Sequence, residues 1–167
     1  MPRQRKPSPR ITTGIKRLQG VATFSPIELT SAQSSQLLQI LSQQPMSVQG
    51  GRAIREFSAI CGVARAGRDI FVKSRTKRSY SQHRQPGQRG IPAKHYLAIL
   101  ASDLAKLMRD YELTPKVIRL DPWECTAGAA YHRLFKLALQ VSGDGRMSDS
   151  MRARYLTRGL AIERPHY

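Results

Sequence analysis

Apolar residues along this chain recur at three- and four-residue intervals, the spacing of helix faces, and nowhere alternate over a useful length as strands do. The clearest stripe is Leu97, Leu100, Leu104, Leu107 and Tyr111, which steps by three, four, three and four. Pro92 suits the first turn of that helix, and Leu113-Thr114-Pro115 ends it. Upstream, Ile54, Phe57, Ile60 (with Cys61) and Ala64 predict a helix over about Arg52–Lys73. Gly62 and Gly67 weaken it and allow a break into two shorter helices. Leu37, Leu38, Ile40 and Leu41 place a short helix in SAQSSQLLQILSQQ, capped by Thr30 or Ser31. Gln43-Gln44-Pro45 stops that helix, and Gly50-Gly51 marks a turn.

Beyond an extended or irregular stretch at 116–126, Tyr131, Leu134, Phe135, Ala138 and Leu139 predict a helix near Gly128–Val141. SGDGR at 142–146 reads as a turn, and Ser148 caps a last short helix with Met151, Tyr155 and Leu156. No segment repeats. The expected fold is mostly α: a small helical core domain over 28–120, a basic, flexible N-terminal arm over 1–27 whose Phe24 and Ile27 anchor it to the body, and a helical C-terminal extension over 121–167. The Leu97–Tyr111 stripe spans two heptads, short of the three or four that argue coiled coil. A core stripe and a seam between subunits both fit it.

Charge changes the picture. The 167 residues carry 28 Lys+Arg against 11 Asp+Glu, a net charge of +17 and a pI near 10.9. A small domain stays soluble with a net charge of about 2 to 8, and self-repulsion on this larger scale opposes compaction unless a polyanion relieves it. Nucleic acid is the partner that charge favours most, with an anionic membrane surface second. No run of apolar residues is long enough to span a membrane. The start, MPRQRKPSPR, lacks the apolar stretch of a secretory signal, and its three prolines spoil the amphipathic helix of a transit peptide. Cys61 and Cys125 form neither a C-x-x-C pair nor a disulfide framework, and read as two buried, reduced thiols of a cytosolic protein.

The cations fall in bands free of acids or nearly so. Arg3, Arg5, Lys6, Arg10, Lys16 and Arg17 lie in the first band, and Arg52, Arg55, Arg65 and Arg68 lie away from the second helix's apolar stripe. Lys73, Arg75, Lys77, Arg78, Arg84 and Arg89 occupy a third band, reaching Lys94 without one acid. Each band can neutralise phosphates, and Tyr80, amid the third, is placed to stack on a base. Residues 74–91 have no apolar period, and loops of that length are usually functional or disordered.

Catalytic chemistry is sparse. GVARAGRD at 62–69 has the glycine spacing of a phosphate-binding loop, but Arg68 and Asp69 stand where lysine and a hydroxyl are needed, and the preceding residues look helical. The same segment has a loose helix-turn-helix pattern with glycine at the turn. His83, His95, His132 and His166 show no metal-ligand spacing. Asp103, Asp110 and Glu112 read as a solvated helix face paired with Lys106 and Arg109, or as acids that meet basic patches of a neighbouring subunit. The expectation is a protein that holds and does not react: not an enzyme, with no cofactor and no metal.

RKPSP at 5–9 followed by GIKRLQG at 14–20 resembles the opening of phage terminase small subunits. The order behind it also resembles that family: a leucine-bearing helix, a helical segment through Ile54–Phe71, a basic loop reaching a proline, a long helix, then Leu113, Thr114, Pro115 and Arg119. The family's first-helix tryptophan is absent, Val21 stands where asparagine is usual, and residues 121–167 have no counterpart. The resemblance implies a packaging protein in the cytoplasm of a bacterial host, which binds double-stranded viral DNA, assembles as a homo-oligomer and presents the DNA to a terminase large subunit. The arm would then hold DNA. The charge alone leaves two alternatives open, a helical DNA-binding regulator of helix-turn-helix type and a basic adaptor or inhibitor of a nucleic-acid enzyme.

Overall fold

The computed structural model describes residues 25–78, 94–117 and 129–163, with side chains given up to Lys73 in the first stretch and up to Ile162 in the last. Within these residues the chain forms five helices and no strand: α1 (Ser31–Ile40), α2 (Val48–Arg78), α3 (His95–Asp110), α4 (Ala130–Ser142) and α5 (Asp149–Glu163). A mostly α architecture is what the spacing of apolar residues predicts.

Local chemistry sets the helix ends. Thr30 caps α1 through a reciprocal box: its Oγ1 accepts from Gln33 N–H at 3.2 Å, and Gln33 Oε1 accepts from Thr30 N–H at 3.0 Å. The helix closes where Ser42 takes a left-handed conformation (φ 54°) and Gln43 N–H reaches back to Leu38 O at 2.9 Å. Ser47 Oγ then accepts from Gly50 N–H at 2.9 Å and opens α2. The expected turn at Gly50-Gly51 therefore lies one step earlier, and both glycines sit inside α2's first turn. Gly50 is there for space: a Cβ would lie 2.5 Å from Gln44 O, in the connection that folds α1 back.

The 31 residues of α2 run as one helix, about 46 Å long at 1.5 Å per residue. The single helix expected over Arg52–Lys73 is thus present and longer at both ends, and the break that Gly62 and Gly67 allowed does not occur. A helix-turn-helix needs a turn at Gly62, and the backbone there is helical without interruption. Gly62 has a different reason. A Cβ on it would meet Ser25 O at 2.6 Å, because residues 25–29 lie flat across the helix at that point. Ile27 N–H donates to Ser58 O at 3.2 Å, and Ser58 Oγ returns a bond to Ile27 O at 2.5 Å. Ile27 is thus a partly buried anchor as predicted; Phe24 falls outside the described residues.

Helix α3 is central. It packs against α2, α4 and α5, and a helix covered on three sides must be apolar nearly all round. Tyr96, Leu97, Ala98, Leu100, Ala101, Leu104, Ala105, Leu107 and Met108 are accordingly buried. Its C-terminus closes at Glu112 (φ 62°), with Leu113 N–H bonded to Met108 O at 2.9 Å. The four leucines of the two-heptad stripe are 0–2% exposed within a single chain. The seam expectation is corrected for them, since they have no surface left to offer a second copy. Tyr111, the fifth member, is half-buried and donates to Gln49 O at 3.2 Å.

The most extensive helix–helix contact joins α3 and α5. It is close because Gly159 faces Ala101: a Cβ on Gly159 would lie 2.5 Å from the Ala101 Cβ and 2.8 Å from backbone atoms of Ala101 and Ser102. Tyr131 of α4 donates to Ala101 O at 2.6 Å from the other side. Tyr131, Leu134, Phe135, Tyr155 and Leu156 belong to the same hydrophobic cluster as Leu37, Phe57 and Leu104. Residues 129–163 are therefore part of the one core, not an extension appended to a domain that ends at 120.

Candidate nucleic-acid interface

Of the sixteen cations named from sequence, Arg52, Arg55, Arg65, Arg68 and Lys73 have described side chains. Arg3, Arg5, Lys6, Arg10, Lys16, Arg17, Arg84 and Arg89 lie outside the described residues. Arg75, Lys77 and Arg78 are on the last turns of α2, with their side chains outside the description. Because α2 is one unbroken helix, its cations are ordered by azimuth. Arg55 and Lys73, eighteen residues apart, share one direction, with Arg52 about 60° to one side and Arg65 about 80° to the other. All four are exposed. GVARAGRD, wholly inside α2, forms no phosphate-binding loop.

Arg52 bonds Glu56 one turn on, with Nε 2.6 Å from Oε1, and the carboxylate raises the guanidinium's already high pKa. At a surface site such an i,i+4 pair is weak and yields readily to a stronger anion. Arg55 and Arg65 have no acid within ion-pair distance among the described residues.

Arg68 behaves differently. It lies toward the core side of α2, and its Nε sits 3.8 Å from Asp144 Oδ1, in the turn after α4. Lys94 Nζ approaches the same oxygen at 3.7 Å, and Tyr96 Oη donates to Asp144 Oδ2 at 2.5 Å. Burial and the neighbouring carboxylate push the Tyr96 hydroxyl far above its usual range, so it remains a donor at any working pH. Phe71 of α2 packs against the Tyr96 ring at 6.0 Å between centroids. Asp144 thus ties α2 and the start of α3 to the α4–α5 turn. The sequence reading of Arg68 as a plain solvent-facing phosphate contact is corrected to that extent.

Sequence reasoning gave no site role to the cations after residue 120. The structure exposes Arg133 and Lys136 on one side of α4, Arg146 in the turn, and Arg154 and Arg158 on one side of α5. The signal was present in the i,i+3 and i,i+4 spacings, but their direction depends on knowing that α5 packs through Tyr155, Leu156 and Gly159. Arg152, by contrast, is engaged with Asp149 in the first turn of α5.

The opposite end of α3 has another character. Gln43, Gln49, Arg52, Asp110, Tyr111 and Glu112 surround an open cleft of about 460 Å³, and Met46 and Val48, between Gln43 and Gln49 in the chain, are 98% and 87% exposed. Asp103, on the same helix, pairs with Lys106 at 3.8 Å; burial raises its pKa and Lys106 partly offsets that. Among the described residues no group of three His, Cys, Asp or Glu could hold a metal ion, and no helix is long and apolar enough to cross a membrane.

No protein-family model matches the chain, and no curated protein or solved structure does so either.

Proposed function

We propose that this protein is a non-catalytic nucleic-acid-binding protein that holds double-stranded DNA by its phosphate backbone, in the manner of a phage terminase small subunit presenting viral DNA to a large subunit in a bacterial cytoplasm. The observation that carries DNA binding is the charge: +17 over 167 residues, concentrated in bands with few or no acids. The fold supports it by leaving Arg55, Arg65, Arg133, Arg146, Arg154 and Arg158 on the surface, each without an acid within ion-pair distance among the described residues, and Lys136 exposed near Asp149. The packaging role rests on the resemblance of residues 1–120, and above all on the order of its segments.

A homo-oligomer belongs to this reading, and its contact must lie away from the four buried leucines. The exposed apolar pair Met46 and Val48, in the segment between the cleft residues Gln43 and Gln49, supports one. The regulator alternative is disfavoured in its helix-turn-helix form by the unbroken α2.

Two measurements test the reading. In a gel-shift series, the purified full-length chain is expected to retard a mixed-sequence duplex at micromolar protein or below in moderate salt. Light scattering of the nuclease-treated protein is expected to give a defined mass of several copies. Failure to bind the duplex would overturn DNA binding. A strict monomer would overturn the packaging role while leaving DNA binding in place.

A further inference from the structure

The turn after α4 gathers cations that are far apart in sequence. Arg68 from α2 and Lys94 from the start of α3 lie 3.8 and 3.7 Å from Asp144 Oδ1. Arg146 follows Asp144 by two residues and is exposed. Lys94 N–H donates to Tyr155 Oη at 3.4 Å, and the Arg158 guanidinium lies over the Tyr155 ring, 5.7 Å from its centroid. Arg158 is thereby linked through Tyr155 to the start of α3. Two cations approach the carboxylate directly, Arg146 follows it in the same turn, and Arg158 reaches the region through Tyr155, so that formally four positive charges accompany one negative.

Two details argue that Asp144 orients these cations and does not simply cancel them. Its side chain is 13% exposed, below Arg68 at 40% and Lys94 at 32%, so the carboxylate forms the floor and the cations the rim. The separations near 3.8 Å also exceed the roughly 2.7–2.9 Å of a charge-assisted hydrogen bond. Arg68 and Lys94 therefore keep donors for another anion, while Tyr96 Oη takes the second carboxylate oxygen at 2.5 Å. The bare Gly143, at φ 89°, completes the arrangement: a Cβ there would lie 2.6 Å from Arg68 Nη1 and displace the guanidinium from above the turn.

We infer that this rim, Arg68, Lys94, Arg146 and Arg158 around Asp144, is a folded contact for successive phosphates of a DNA strand, independent of the N-terminal arm. The inference rests on the DNA-binding reading above and adds to it a place. An exposed rim fed from several elements suits a polyanion that passes over it, whereas a free phosphate would need an enclosing cup. It also gives the last two helices a part in binding, by bringing Arg146 and Arg158 to the point where the basic segment 73–94 rejoins the fold.

The test compares duplex binding by the full-length chain and three double variants, as affinity against salt concentration. R146Q/R158Q removes two rim cations without touching Asp144. K106Q/R109Q removes the same charge toward the far end of α3 and is the control. R146K/R158K keeps the charge. R146Q/R158Q is expected to flatten the log–log salt slope by about two units, near 0.9 per lost phosphate contact, with K106Q/R109Q flattening it less and R146K/R158K staying close to the unmodified protein. Equal slopes for R146Q/R158Q and K106Q/R109Q would overturn the rim while leaving DNA binding intact. No duplex binding by the unmodified chain would overturn the DNA reading itself, and the rim with it.

Discussion

Cys61 sits at the middle of α2 with no exposed surface, and burial raises its thiol pKa to about 12. A thiol that is neither ionised nor reachable reacts only when the chain opens. In a C125S background, Cys61 is expected to react with a thiol reagent at least about a thousandfold slower in native buffer than in denaturant, following the folding equilibrium. Fast labelling in native buffer would contradict its placement. His132 offers a second residue-scale test. It is buried on α4, its Nε2 has no hydrogen-bond partner among the described residues, and burial lowers its pKa, with Asp149 opposing and Arg152 lowering it further. A histidine whose folded pKa lies below its unfolded value of about 6.5 costs nothing when both states are neutral. As pH falls through that value the unfolded chain takes up a proton that the fold resists, so stability drops. The urea midpoint should therefore fall between pH 7.5 and 5.5 by more in the parent than in H132L. Equal falls would show that His132 charges freely in the fold.

At the scale of elements, two glycines make opposite predictions. Gly51 and Gly159 are both helical, and replacing a helical glycine by alanine normally stabilises by about 0.5–1 kcal/mol. A Cβ at Gly51 meets nothing within 4 Å, so G51A should follow that rule. At Gly159 the new methyl would meet backbone atoms of α3 at 2.8 Å, which cannot give way as a flexible side chain would. G159A is expected to cost about 1–3 kcal/mol, the range for an overfilled interior, measured as a lower denaturation midpoint. A stabilised G159A would mean that α5 does not cross α3 at Ala101. The same reasoning explains why the glycines of α2 leave room in the sequence for a break that the helix does not have. Gly62 looks like a punctuation mark in the chain, but it is where residues 25–29 press on the helix, and such a contact at long range leaves no local signature.

For the whole molecule, sequence periodicity was enough to predict α helices, and residue types marked the turn at 142–146 and narrowed the first cap to Thr30 or Ser31, of which Thr30 serves. It could not decide what the Leu97–Tyr111 stripe packs against, because two heptads look alike in a core and in a subunit seam; the answer came from helices on three sides of α3. The last helix was harder to read. Among the described residues of α5 only Tyr155, Leu156 and Gly159 are buried, and a face made with a glycine carries little apolar pattern, so its place in the core was not visible. The basic bands were legible as charge but not as a surface. Asp144 gathers Arg68, Lys94 and Tyr96 across up to 76 positions of chain, and no local spacing announces that.

The central claim is that the excess charge serves to hold a DNA backbone, and the salt dependence of duplex binding tests it most directly. Fluorescence anisotropy of a labelled mixed-sequence duplex with the full-length protein, between about 50 and 200 mM salt, should give a straight log–log plot. Six phosphate contacts would set its slope near −5, and recruitment of the N-terminal bands together with the folded cations should reach or exceed that. A slope near zero, or no binding at the low-salt end, would contradict the account.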